Sequence, residues 1–265
     1  MSKSIDADTP VVIEGTNLSW VWAEAVRRVQ AKRGHTLSPL VISLHGFDAA
    51  GNPLEDAAMK QDLDALLASE NEWDIETVAF TIFPERYWQI AAGNRSEFFN
   101  IYRRAFPKIQ AMNRQLNGRG LYFERLTMFG RGPEDGNQLE FIIKQYSGRK
   151  GVRDSMLQAS VFDPGRDHNG SAQLGFPCLQ HVSFVPTREG LVTNAFYATQ
   201  QLFNKAYGNY LGLAQLGRFV ARECGMQPAR LNVYVGVAKL ERIAKTDPRL
   251  VALVDAAGTR MKAAA

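Results

Sequence analysis

Three short segments each set a residue capable of chemistry at the edge of a strongly patterned element. In Gly175-Phe176-Pro177-Cys178-Leu179-Gln180 a loop delivers a thiol just before a strand. A thiolate is a strong nucleophile, and a loop-to-strand junction can present it to a cleft where nearby cations lower its pKa. The other common use of a cysteine, as a small buried hydrophobe, suits Cys224, which lies deep in an apolar helix closed by Gly225. In Lys205-Ala206-Tyr207-Gly208-Asn209-Tyr210 the Asn209 carboxamide can pair with a carbonyl and an imino N–H together, the pattern on one edge of uracil; asparagine at such a position also caps helices. In Gly118-Arg119-Gly120-Leu121-Tyr122, a tyrosine beside two glycines can relay a proton or simply pack with its hydroxyl bonded.

The elements that must position these groups fit one large α/β domain. A chain of 265 residues with 45% hydrophobic and 22% charged content can bury a sizeable core. Its patterning predicts a flexible N-terminus over 1–10, one domain over 11–258 and a frayed end over 259–265. Strands are expected at Val11 to Ile13, Leu40 to Leu44, Glu76 to Phe83, Met156 to Phe162, His181 to Pro186, Leu191 to Ala198 and Leu231 to Val237. Helices are expected from Asn17 or Ser19 to Lys32, Leu54 to Leu67, Pro84 to Ala92, Ser96 to Leu116, Asn137 to Tyr146 and Ala206 to Cys224. The polar stretch Asp163 to Ser171, which holds Asn169, reads as a loop, and the stripe Phe98, Phe99, Tyr102 and Phe106 reads as core.

Composition narrows the partners. Two cysteines are too few for a disulfide scaffold, and no Cys/His spacing suits zinc, so no metal is expected. No apolar run reaches about 18 residues, so no membrane span is expected and a cytoplasmic protein is the simplest reading. A net charge of +4, from 31 basic against 27 acidic residues, is a mild excess, compatible with small phosphates or with nucleic acid.

Taken in chain order, these segments resemble the thymidylate synthase superfamily. The resemblance runs from about Leu121 to Glu241 and rests on Pro177-Cys178 before a strand, the strand Leu191 to Thr199, and Gly208-Asn209-Tyr210-Leu211 opening a long apolar helix that ends at Cys224-Gly225. It implies a divergent thymidylate-synthase-like protein of α+β type, with a large twisted mixed sheet flanked by helices, working as a homodimer on a pyrimidine nucleotide. In such an enzyme Cys178 would attack C6, Asn209 would read the base edge and Tyr122 would join the proton relay near C5. Methyl or hydroxymethyl transfer to C5 is the reaction implied, with a reduced folate (methylenetetrahydrofolate) as one-carbon donor. Glu85, in Phe83-Pro84-Glu85-Arg86-Tyr87, is the candidate for the family's catalytic glutamate, and Arg153 would serve the neighbouring subunit's phosphate site. Gln180 and Lys239 complete the substrate-binding candidates, Lys239 as a replacement charge for a phosphate.

The chain also departs from the family pattern. Ala198-Thr199 stand where the family has an Arg-Ser pair for phosphate, Leu179 where it has His after the nucleophile, and Lys239 and Glu241 where it has His and Tyr for the sugar. An Asp near Gln201 is missing, and 24 residues follow Glu241 where the family continues into a folate-closing tail. Two further readings follow from these departures: an inactive homologue acting as a nucleotide-binding or regulatory module, and a factor that modifies a base within nucleic acid.

Overall fold

The structure is a computed structural model that describes residues 9–168, 170 and 177–264, apart from the side chains of residues 115, 116 and 264. Its organising element is an open mixed sheet of β1 (Val11–Gly15), β2 (Thr36–Leu37), β3 (Leu40–Leu44), β4 (Gln158–Ser160), β5 (Leu179–Pro186), β6 (Leu191–Gln201) and β7 (Pro228–Lys239). The strand order is β1-β3-β7-β6-β5-β4, with the short β2 also paired to β7. The β1–β3 and β6–β7 pairs are parallel and the remaining pairs antiparallel. The antiparallel β5–β6 pairing sets the start of β5 beside the end of β6, and parallel β7 ends beside β6 as well. Three strand ends that carry polar residues therefore converge.

Around the sheet lie α1 (Leu18–Gln30), α2 (Ala57–Ser69), α3 (Ile75–Phe80), α4 (Glu85–Ile90), α5 (Arg95–Met112), α6 (Arg114–Asn117), α7 (Tyr122–Thr127), α8 (Gln138–Gly148), α9 (Pro164–Asp167), α10 (Tyr207–Glu223) and α11 (Pro248–Ala264). Asn17 opens α1 by accepting hydrogen bonds from the Ser19 and Trp20 amides. Helix α10 is buried along nearly its whole length. Its glycines permit that: a Cβ on Gly212 would sit 2.7 Å from the Ala79 carbonyl oxygen of α3, and one on Gly217 would sit 2.4 Å from Thr193 Oγ1 of β6. The expected aromatic stripe of α5 is core, with Phe98 and Phe123 centroids 5.3 Å apart and Trp88 meeting Phe219 at 4.9 Å.

The other face of the sheet carries rows of outward side chains. Cross-strand register places Val12, Val41, Tyr234, Phe196 and His181 in one row, with Val12, Phe196 and Tyr234 exposed and the last two rings stacked. The next row is a polar ladder in which Ser43 donates to Asn232, Asn232 to Asn194 and Asn194 to Ser183. Among the described residues no helix is long and apolar enough to cross a membrane.

Several sequence expectations are corrected. Glu76 to Phe83 is no strand: Asp74 accepts a hydrogen bond from the Thr77 amide and starts α3, whose Ile75, Val78 and Ala79, with Ile82 just beyond, follow helical spacing against α10. β-branched content had masked that period. Helix α2 begins at Ala57, after the Asp56 cap, rather than at Leu54. Strand β4 is confined to Gln158–Ser160 by a tight turn over Asp154–Met156. Asp163 to Asp167 is organised by Asp163 capping the short α9, while Asn169 and Ser171 lie outside the described residues. The stretch 259–264 is the last part of α11. Most of the N-terminal stretch 1–10 lies outside the described residues.

Candidate active site

The converging ends of β5, β6 and β7 form the wall of a cleft of about 390 Å³. That volume lies within the range of small-molecule sites. The opposite wall comes from α3, the preceding Trp73, the loop between α6 and α7, and the start of α10. Cys178, Tyr122, Asn209 and Lys239, expected from sequence to act together, all line it.

Cys178 is exposed, and its Sγ lies 3.6 Å from Thr199 Oγ1 at the end of β6. A β-bulge fixes it there. Leu179 pairs with Tyr197 and His181 with Phe196, so Gln180 is an extra residue in β5. The Gln180 carbonyl accepts from both Val161 and Phe162 amides, at 2.9 and 3.1 Å, and the Cys178 carbonyl accepts from Ala198 at 2.9 Å. Bulges re-aim the adjoining strand, and here the re-aimed residue is the thiol. Gln180 itself does not line the cleft: its side-chain amide donates to the Pro177 carbonyl. As the bulge residue, Gln180 shapes the approach of Cys178 through its backbone. Gly175 and Phe176 of the same motif lie outside the described residues.

Tyr122 opens α7 with its hydroxyl beside the Cys178–Leu179 backbone; burial and the neighbouring Cys178 raise its pKa, so it is a neutral donor at physiological pH. Tyr197 and Tyr210 are held neutral chiefly by burial too, and the Tyr197 hydroxyl has no partner among the described residues. Asn209 is 5% exposed and lies within the first turn of α10, whose N-cap position is Ala206, so its amide is not spent on capping.

The mouth is cationic. Arg119 and Lys239 line it, with Glu241 3.9 Å from the Lys239 ammonium. Lys205 rests over the Trp73 ring, 4.3 Å from its centroid, and burial lowers its pKa. Deeper, Arg125 is 2% exposed and makes a two-pronged pair with Asp167, at 2.6 and 2.8 Å, while also donating to the Arg119 and Val161 carbonyls. Burial pushes the Asp167 pKa up, but the Arg125 hydrogen bonds outweigh it and hold the carboxyl below its ordinary value. Arg125 thereby pins the Arg119 loop to the sheet.

Two expected residues are elsewhere. Glu85 lies in the first turn of α4 and pairs with Arg218 at 2.5 Å, away from the cleft, so it is not positioned as a catalytic acid. An acidic residue in a helix's first turn also has a structural use there. Arg153 is exposed just before the tight turn leading to β4 and does not line this chain's cleft. The carboxylate at the mouth is Glu241, and Glu124, buried with its pKa raised by desolvation, sits behind Gly120 and pairs with Arg166.

Sequence reasoning also missed Thr199, Gln200, Lys205 and Arg119 as cleft residues. A signal existed for two of them: Thr199-Gln200-Gln201 is a polar run ending a strand that otherwise alternates. No protein-family model matches the chain, and no curated protein matches it, so a functional reading rests on this geometry.

Proposed function

We propose that the protein modifies C5 of a pyrimidine nucleotide through a covalent Cys178 adduct, as a thymidylate-synthase-like one-carbon transferase. The observation that carries the reading is the meeting of Cys178, Tyr122 and Asn209, from three separate segments, in one nucleotide-sized cleft. In this mechanism the Cys178 thiolate forms a bond to C6, and the ring's electron pair moves to C5 and its conjugated carbonyl. C5 then takes an electrophile and loses its own proton, and expulsion of the thiolate restores the ring. Asn209 holds the base edge by donating to a carbonyl and accepting from an imino N–H. Thr199 donates to the thiolate, and Tyr122 hands on protons beside the adduct.

Arg119, Lys205 and Lys239 would meet the anionic part of the nucleotide in place of the family's arginines. A reduced folate, which supplies the one-carbon unit when bound, would be held by the aromatic surface of Trp73. The exposed Val12, Tyr234 and Phe196 row supports a homodimer that packs this sheet face against a second copy. A second reading, a nucleotide-binding module without turnover, draws support from Glu85, whose engagement with Arg218 leaves the expected acid out of the cleft.

The test is proton–deuterium exchange at C5 of uracil and cytosine nucleotides in heavy water, followed by NMR, with Cys178→Ala as control. Exchange that needs Cys178 is the expected result. Binding without exchange selects the module, and neither binding nor exchange removes both readings.

A further inference from the structure

The cleft holds a hydrogen-bond donor that no described residue uses. Gln200, near the end of β6, is 2% exposed and lines the cleft. Its Oε1 accepts the Tyr210 hydroxyl at 2.8 Å, and its buried Nε2 has no partner among the described residues. Buried amide N–H groups are nearly always satisfied, because losing water without a replacement partner is costly. A ligand in the cleft is the natural acceptor.

Tyr210 engages one end of the amide. A carboxamide has a donor end and an acceptor end that a half-turn would exchange. Burial keeps the Tyr210 phenol neutral, and by donating to Oε1 it turns the oxygen toward α10 and leaves the N–H as the free function. Tyr210, which bonds this amide, is neutral, and Asn209 of the same cleft is buried and uncharged, whereas the cleft cations Arg119, Lys205 and Lys239 are less buried. Charged ligand atoms belong with the cations, and an uncharged oxygen belongs with the buried amide.

Building on the proposed function, we infer that Gln200 is a specificity-determining residue whose side-chain N–H donates to a ring carbonyl of the substrate, selecting a keto pyrimidine over its amino counterpart. An amino group at the same ring position would set donor against donor. A site built to hydrogen-bond one group rejects the analogue that cannot return the bond. Tyr210 acts as the positioning residue, since its hydroxyl keeps the amide from turning.

The experiment measures binding of uridine and cytidine 5′-monophosphates and their 2′-deoxy forms by titration calorimetry, alongside the C5 exchange assay. Wild type is expected to prefer the uracil nucleotides at least tenfold. Gln200→Met, which keeps the length of the side chain and removes the donor, should weaken uracil nucleotides by roughly ten- to a hundredfold and narrow the preference to what Asn209 supplies. Tyr210→Phe should keep most of the affinity but narrow the preference, because the freed amide can present either end. The double variant Gln200→Met/Tyr210→Phe removes both partners and strands neither, and thermal melting with each variant separates a folding defect from a lost contact.

Equal discrimination by wild type, Gln200→Met and the double variant overturns the inference while leaving Cys178-dependent exchange, and the proposed function, intact. A wild-type preference for cytosine nucleotides also overturns it. Absence of both binding and exchange in the wild type removes the proposed function and this inference together.

Discussion

Cys178 Sγ and Thr199 Oγ1 lie 3.6 Å apart across the junction of β5 and β6, brought together by the extra residue Gln180 in β5. A hydroxyl at that position can accept the S–H of a thiol or donate to a thiolate. Of the two cysteines, Cys178 is the exposed one. Cys224, half-buried at the end of α10, has its thiol pushed up to about 11 by burial and by Glu223. Iodoacetamide at neutral pH should therefore label Cys178 and spare Cys224, and peptide mass spectrometry reads the two sites separately. Thr199→Val should slow Cys178 labelling several-fold; an unchanged rate removes the hydroxyl from the account.

Tyr122→Phe tests the proton relay. Binding of the nucleotide should change little, since the phenyl ring fills the same space, while C5 exchange should fall by about a hundredfold or more, the usual scale of acid–base assistance. A loss confined to affinity would assign Tyr122 to packing.

Lys205 gives a pH signature. Burial, only partly offset by Glu72, lowers its pKa from the ordinary 10.5, so the ammonium loses its proton earlier than an exposed lysine. The protonated form attracts an anion, so affinity for a nucleoside monophosphate should fall as pH rises toward 10.5. Lys205→Arg, which stays charged throughout, should flatten that fall. Calorimetry at a series of alkaline pH values makes the comparison.

The Arg125–Asp167 pair is a stability device for the cleft loop. Asp167→Asn strands a guanidinium that is 2% exposed and should cost about 3–5 kcal/mol at neutral pH. Because the folded pKa of Asp167 is depressed below 3.8, its contribution is complete above that value and fades as pH falls through the lower folded pKa. The gap between wild type and Asp167→Asn in urea unfolding should thus close in strong acid and persist at pH 6.

Gly212→Val addresses the wall opposite the thiol. Even a Cβ would meet the Ala79 carbonyl oxygen at 2.7 Å, and the larger side chain must push α3 away from α10 at about 1–3 kcal/mol. Since Val78 of α3 lines the cleft, nucleotide affinity should drop along with melting temperature.

Much of the scaffold was legible because burial imposes a period. The apolar run Leu40 to Leu44 announced β3, and Asn17 or Ser19 announced the start of α1, with Asn17 the cap. The period misled at Glu76 to Phe83, where Thr77 and Val78 suggested a strand. The cap from Asp74 and the glycine face of α10 decided for helix instead.

Local pattern singled out Cys178, Tyr122 and Asn209 as candidates, each at a junction where a side chain meets an element's end, their order along the chain joined them, and all three line the cleft. Glu85 was misplaced and Gln200 overlooked for one reason. Whether a polar side chain is already satisfied depends on residues far away in the chain: Arg218 for Glu85, and for Gln200 a Tyr210 that uses only half of the amide. Sequence by itself determined the elements and the reactive residue types, through short-range sterics and hydrophobic period. Only the tertiary structure decided which of those residues share a cleft and which hydrogen-bonding groups remain open, because hydrogen bonds and charge pairs are fixed by distance in space and not by separation along the chain.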